Sequence, residues 1–312
     1  MSKANGFKGI VYAILSSATF GLSPFFSISL LGTGLSYFEV LFYRWGVAAL
    51  ALGMVAVATG HSLRLGRRDA APLCLLGLLR AVTSFSLVVA YGNIATGVAS
   101  SIHFIYPLAV ACGMALFFKE KLSWQVLLAI VLSLIGAVLL SWGDIGAADG
   151  NRAVGMAAAC VSVLSYGGYI IGVRKSRISH MDSAALTFYV MAFGAVLFGV
   201  GSVTATGGIT LVTDGRAWLY ILGLSLVATA ISNFTLVQAI KHIGPTLSSL
   251  FGAMEPLTAM IIGVSVLGER FTLGTAVGVA LVIIAVSIVV VREGRQTTAK
   301  MSGVQSASGT DA

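Results

Sequence analysis

The sequence predicts an all-α membrane protein: ten transmembrane helices in two inverted five-helix repeats around a central cavity. Three observations carry this. Ten apolar runs of membrane-crossing length divide the chain, the basic residues gather on alternate connections, and the second half repeats the first at a nearly constant offset. The composition sets the frame. Of 312 residues, 57% are hydrophobic and 10% charged, with a mean hydropathy of +0.97; a soluble domain carries roughly 25% charged residues.

The apolar runs lie near 7–30, 36–59, 71–92, 96–118, 124–142, 153–173, 183–206, 217–240, 246–267 and 273–292. A helix needs about 20 apolar residues to cross the hydrocarbon layer, so these runs leave no room for a separate soluble domain. The first run exceeds a signal-peptide core and lacks a convincing small-residue cleavage site, which makes it a retained helix. A sheet has no place here, because an open edge in lipid leaves backbone groups unpaired. Residues 294–312 are polar without apolar periodicity and are expected to form a disordered cytoplasmic tail. The chain thus divides into a first repeat at 1–148, a second at 149–293, and the tail.

Lys and Arg number 19 against 11 Asp and Glu, a net charge of +8. In a soluble protein that surplus would suggest a nucleic-acid partner. Its distribution argues otherwise. Arg44 and Arg80 fall inside predicted helices, only Arg152, Arg216 and Arg270 fall on one side, and all the others fall on the opposite side. The positive-inside rule puts that second side, with both termini, in the cytoplasm. Cys74, Cys112 and Cys160 are scattered through apolar runs and suit neither a disulfide framework nor a metal site; they read as packing residues. HExxH, CxxC, GxSxG and phosphate-binding loops are absent from the sequence, so no cofactor, metal or catalytic activity is expected.

The duplication is the strongest organisational signal. A shift of 149 aligns Ile94 with Ile243, Ser100 with Ser249, Pro107-Leu108 with Pro256-Leu257, and Glu120-Lys121-Leu122-Ser123 with Glu269-Arg270-Phe271-Thr272. A shift of 146 aligns Gly9, Ser16 and Gly21 with Gly155, Ser162 and Gly167, then Phe42-Tyr43 with Phe188-Tyr189 and Gly53 with Gly199. The three-residue difference must be absorbed in or near the third and eighth helices. Five helices per repeat is an odd number, so the second repeat is expected upside down relative to the first, as in many transporters.

The paired endings, Pro107 through Ser123 and Met254-Glu255-Pro256 through Thr272, resemble the two EamA repeats of the drug/metabolite transporter superfamily over about residues 7–292. The resemblance implies ten helices, cytoplasmic termini, and alternating access around a cavity lined mainly by helices 1, 3, 4, 6, 8 and 9. It also implies similarity to bacterial inner-membrane exporters of amino acids, aromatic ones among them. The chain departs from the sugar-phosphate and nucleotide-sugar branches: its eighth and ninth helices hold no Lys or Arg until Lys241, at a cytoplasmic end.

Five ionisable side chains enter the predicted spans: Glu39, Arg44, Arg80, His103 and Glu255. Burial of such groups is costly, which makes each a functional candidate. Glu39 is close enough to the outer interface to snorkel, and Arg80, about 12 Å from the cytoplasmic end, has partial reach of that interface. Glu255 is deeper, directly before Pro256, with Tyr106 as its repeat partner. It reads either as a hydrogen-bonding structural acid or as a contact for a proton or a substrate ammonium. His103, whose repeat partner is Gly252, reads either as a satisfied core histidine or as a cavity group.

The expected substrate-binding set is His103, Tyr106 and Ser100 on the fourth helix, Ser84 and Tyr91 on the third, Tyr166 on the sixth, Asn233 on the eighth and Ser249 on the ninth. Pro107, Glu255 and Pro256 form the expected gating set, because an intrahelical proline removes a backbone donor and frees a carbonyl. Pro24, without an aligned partner, reads as a packing kink. The GxxxG segment Gly274–Gly278 suits close helix contact within one chain or across a homodimer. The expected activity is export of small metabolites, amino acids with aromatic or other apolar side chains foremost, by an uncoupled carrier. Antiport of phosphorylated or nucleotide-linked solutes, favoured by Arg44 and Arg80, is the alternative within transport; a receptor or enzyme is the alternative outside it.

Overall fold

The computed structural model describes residues 3–60, 63–94, 96–140, 150–266 and 272–308. Eight helices are long and apolar enough to cross a membrane: α1 (Asn5–Leu31), α2 (Tyr37–Ala58), α3 (Arg67–Tyr91), α4 (Val98–Phe118), α6 (Arg152–Lys175), α7 (Ser183–Thr206), α8 (Gly215–Ile243) and α9 (Pro245–Val266). Two shorter apolar helices, α5 (Trp124–Leu139) and α10 (Leu273–Val289), complete the ten. No strand occurs among the described residues.

Helix starts follow from short polar side chains. Ser36, Asn151, Asp182 and Asp214 accept hydrogen bonds from first-turn amides of α2, α6, α7 and α8, satisfying donors that an initiating helix leaves unpaired. Glu39 completes a capping box with Ser36 and also accepts the Thr210 amide at 2.8 Å. It is 4% exposed and ties α2 to the segment before α8, so it caps rather than snorkels.

Prolines mark the helix breaks. Pro24 is the second residue of Ser23–Leu31, after the helix Lys3–Phe20 has ended. Pro107 is second in Tyr106–Phe118, which follows Thr96–His103. Pro256 is third in Met254–Val266, after a 3-10 turn at Phe251–Ala253. At the start of a segment the missing N–H costs nothing, whereas mid-helix it would orphan a carbonyl. The break before Pro24 exceeds the kink expected there, since α1 is interrupted at Gly21 and Leu22. Between its α-helical ends, α8 winds as a π-helix over Gly223–Ile231. It has 29 residues against 25 in α3, four more where the two alignment offsets call for three.

The most extensive packing pairs are α2 with α7, α5 with α10, α3 with α6, and α1 with α8. Moving each helix on by five maps the first two pairs onto themselves and exchanges the last two. Close contacts repeat in the same way. A Cβ on Gly53 would meet the Phe188 ring at 2.9 Å, and one on Gly199 would meet the Phe42 ring at 3.1 Å. At the far ends, Gly9 lies against Ile243 and His242, and Gly155 against Ile94 and Asn93.

Two expectations change. The helix that begins at Leu273 continues to Ser308, where a disordered tail was expected; Arg292, Glu293, Arg295 and Gln296 are good helix formers, and extending an existing helix needs no new nucleus. Cys74, Cys112 and Cys160 are exposed on the outer surface rather than packed between helices. Residues 268–271 of the second repeat's ending lie outside the described residues.

Candidate functional site

The breaks in α1 and α4 and the π-helical stretch of α8 bring polar groups together in the middle of the bundle. Phe20, the last residue before the α1 break, is the hub. The Arg44 guanidinium carbon lies 5.7 Å from its ring centre and that of Arg80 lies 5.2 Å away. Arg80 also lies over the rings of Tyr166 and Tyr169, at 5.0 and 5.9 Å. These positions let ring quadrupoles offset part of the desolvation of the two cations.

One network orders both arginines. Arg80 Nε donates to Asn233 Oδ1 at 2.8 Å and its Nη1 donates to Ser84 Oγ at 3.5 Å. Arg44 Nε donates to Thr229 Oγ1 at 2.7 Å. Thr229 in turn donates to the Leu224 carbonyl five residues back, across the π-helix, and its own carbonyl accepts Asn233 Nδ2. The wider π turn thus sets both receptors of the guanidinium groups, in keeping with the frequent use of such turns at functional sites. Arg44 is 2% exposed and Arg80 is 1% exposed. Arg80 therefore does not reach the cytoplasmic interface as expected; it is held inside by α8.

His103, Tyr106 and Glu255 adjoin the same rings, with His103 also 6.4 Å from Phe20. His103 Nδ1 pairs with Ser162 Oγ at 2.8 Å, and its ring stacks on Tyr166 at 5.2 Å. Tyr106 meets Tyr166 edge-on at 4.6 Å and donates its hydroxyl to Glu255 Oε1 at 3.0 Å. Tyr106 and Glu255 align at the 149-residue offset, so this bond joins a residue to its aligned counterpart. Gly252 makes it possible: a Cβ there would sit 1.7 Å from the Tyr106 hydroxyl. Arg80 lies within electrostatic reach of Glu255, His103 and Arg44.

A model of the EamA-like transporter family matches the chain twice, over residues 7–142 and 153–291. The chain belongs to the EamA-like transporter family. Its similar relatives include an uncharacterized transporter, YxxF, of Bacillus subtilis, 21% identical over 97% of this chain and 94% of that protein. Another is the uncharacterized inner membrane transporter YedA of Escherichia coli, 26% identical over 80% of this chain and 81% of that protein. A solved crystal structure superimposes with a TM-score of 0.76, covering 95% of this chain and 99% of the other at 17% identity, a likeness of fold. This EamA-like protein is accordingly a multi-pass membrane transporter.

Of the expected binding residues, His103, Tyr106, Tyr166, Asn233 and Ser84 come together around Phe20 and the arginines. Tyr91 packs beside Phe20 in an adjoining cluster with Leu87 and Ile94, and Ser100 lies one turn before His103 and Phe104. Ser249 does not join them: its hydroxyl donates to the Thr246 carbonyl in its own helix. The expected gating residues Pro107 and Pro256 are buried and flank the Tyr106–Glu255 bond in sequence. Phe20, Thr229 and Tyr169 were absent from the sequence-based set, and Arg44 and Arg80 stood outside it. The arginines had a readable signal, being the only basic residues assigned to the membrane interior. Phe20 had none, since an aromatic in an apolar run reads the same facing lipid or protein.

Proposed function

We propose that this transporter exports amino acids with aromatic or other apolar side chains across the bacterial inner membrane by alternating access, with both termini cytoplasmic. The carrying observation is the presence of opposite charges around one aromatic cluster. Arg44 and Arg80 lie over Phe20 and Arg80 also over Tyr166, while Glu255 is bound by Tyr106, which meets Tyr166 edge-on. A zwitterion with an apolar side chain complements that pattern. The reciprocal glycine contacts and the Tyr106–Glu255 bond support two inverted repeats that exchange roles between inward-open and outward-open states.

The protein acts as an uncoupled carrier in this reading, because Glu255 already serves a structural bond. Uptake of a labelled amino-acid panel into proteoliposomes tests it: saturable flux of phenylalanine or leucine is expected, and Glu255→Gln should retain downhill flux within about threefold, the loss of one net hydrogen bond. Accumulation driven by a pH gradient and abolished by Glu255→Gln would make Glu255 a proton carrier. The paired arginines also favour a second reading, exchange of phosphorylated solutes, which robust sugar-phosphate exchange without amino-acid flux would establish.

A further inference from the structure

We propose that Arg44 is the anchor for a substrate carboxylate, with Arg80 as a fixed partner that holds the aromatic cluster. The inference deepens the reading of the bundle centre as the substrate site and rests on it. The two arginines differ in what they leave unused. Arg80 has Nε and Nη1 engaged by Asn233 and Ser84 and is covered by three rings. Arg44 has only Nε engaged, by Thr229, and its Nη2 is buried without a partner.

Charge points the same way. Neither guanidinium pairs with a carboxylate among the described residues. Of the two acids in the spans, Glu39 is committed to the α2 cap and Glu255 to Tyr106. Glu39 sits in the first turn of α2, so the bundle centre sets two guanidinium groups against the single carboxylate of Glu255, at least one positive charge in excess, an arrangement that an entering monoanion would neutralise. The spare hydrogen-bonding capacity also suits an acceptor. Besides Arg44 Nη2, the Tyr169 hydroxyl and His103 Nε2 are buried without partners, and both rings neighbour Tyr166. A carboxylate, which only accepts, can take an N–H from a guanidinium fork and an O–H from a phenol at once. The stacked rings of Phe20 and Tyr166 make the surroundings of these groups apolar and aromatic.

The ligand class is thus a small monocarboxylate with an apolar or aromatic body. Binding of 3-phenylpropanoate, 3-phenylpropanamide, phenylalanine, phenylalaninamide and phenyl phosphate to the purified full chain tests this. Both carboxylates should bind at least about tenfold more tightly than their amides, the scale of one charge-assisted hydrogen bond. Arg44→Gln should erase that discrimination, whereas Arg44→Lys should retain part of it, a pattern that general loosening of the fold would not produce. Should Arg44→Gln fail to fold, the analogue series on the native chain decides alone. Equal affinity for acid and amide, discrimination that survives in Arg44→Gln, or tighter binding of the phosphate would each overturn the proposal. Arg44-dependent binding of 3-phenylpropanoate without any amino-acid flux would uphold the carboxylate anchor while removing amino-acid export. Amino-acid flux with equal amide affinity would do the reverse.

Discussion

Asn93 and His242 occupy equivalent positions in the two repeats, each one residue before an aligned isoleucine, and the two ends they close are built differently. Both bond the carbonyl four residues back in their own helix, Val89 for Asn93 and Gln238 for His242. Both face a glycine, since a Cβ on Gly155 would lie 3.2 Å from Asn93 Cβ and one on Gly9 would lie 2.8 Å from His242 Cβ. Beyond that the resemblance ends. Asn93 keeps a free oxygen that accepts the Asn151 amide at 3.1 Å, with Gly150 pressed against its backbone. His242 turns an aromatic ring to Tyr12 at 5.7 Å and lines a cavity of about 340 Å³ with Glu120, Lys121, Arg174 and Thr246. The glycine contact is matched at the two positions, while Asn93 takes a backbone amide and His242 lines a polar vestibule.

The largest expected effect comes from breaking both closures. Gly155→Val and Gly9→Val add bulk where even a methyl group does not fit, and overpacking costs about 1–3 kcal/mol. Separating the helices at that end relieves it, and 1.4 kcal/mol shifts a two-state equilibrium tenfold. Each variant should lower flux at least about tenfold. They should do so from opposite sides: Gly155→Val favours states open between α3 and α6, and Gly9→Val favours states open between α1 and α8. Thiol labelling of Ser165→Cys and Ser16→Cys in chains with the three native cysteines replaced reads the two openings. If both valine variants exposed the same reporter, the equivalence of the ends would be lost.

A smaller effect separates the ends. Asn93→Ala leaves the Asn151 amide without its acceptor and should destabilise that closure by about 1 kcal/mol, seen as a fewfold rise in labelling of Ser165→Cys. His242→Ala removes a ring contact worth about 0.5–1.5 kcal/mol, and should act only at the vestibule end. A rise at both reporters in either variant would show the ends to be coupled more tightly than their separate contacts require.

These contacts differ in how far the sequence reveals them. The offsets of 146 and 149 pair Gly9 with Gly155, Ile94 with Ile243 and Tyr106 with Glu255, so these matched contacts were legible once helices were assigned. The breaks at Pro107 and Pro256 were legible for the same reason. The arginine site was not, because whether Arg44 faces lipid or Thr229 depends on the rotation of α2 against α8, and a π-helical stretch in α8 resets that rotation. Ser249 aligns with Ser100, and its hydroxyl donates to the Thr246 carbonyl, a local bond the alignment does not reveal.

The smallest effect tests whether the vestibule end carries backbone strain at Lys119. Lys119 ends α4 in the left-handed region, with φ 54° and ψ 30°, the only described non-glycine residue with positive φ. Its amide donates to the Met114 carbonyl, a helix ending that normally uses glycine. The aligned position in the second repeat is Gly268. A lysine held in this conformation costs about 1 kcal/mol relative to glycine, which lacks the Cβ that clashes there, although glycine gives back part of the gain through its freer unfolded chain. Lys119→Gly should therefore raise the melting temperature by roughly 1–3 °C and leave flux unchanged. A fall in melting temperature would mean that the Lys119 side chain contributes more at the vestibule rim than its backbone conformation costs, and that the two repeat endings differ by selection for that charge.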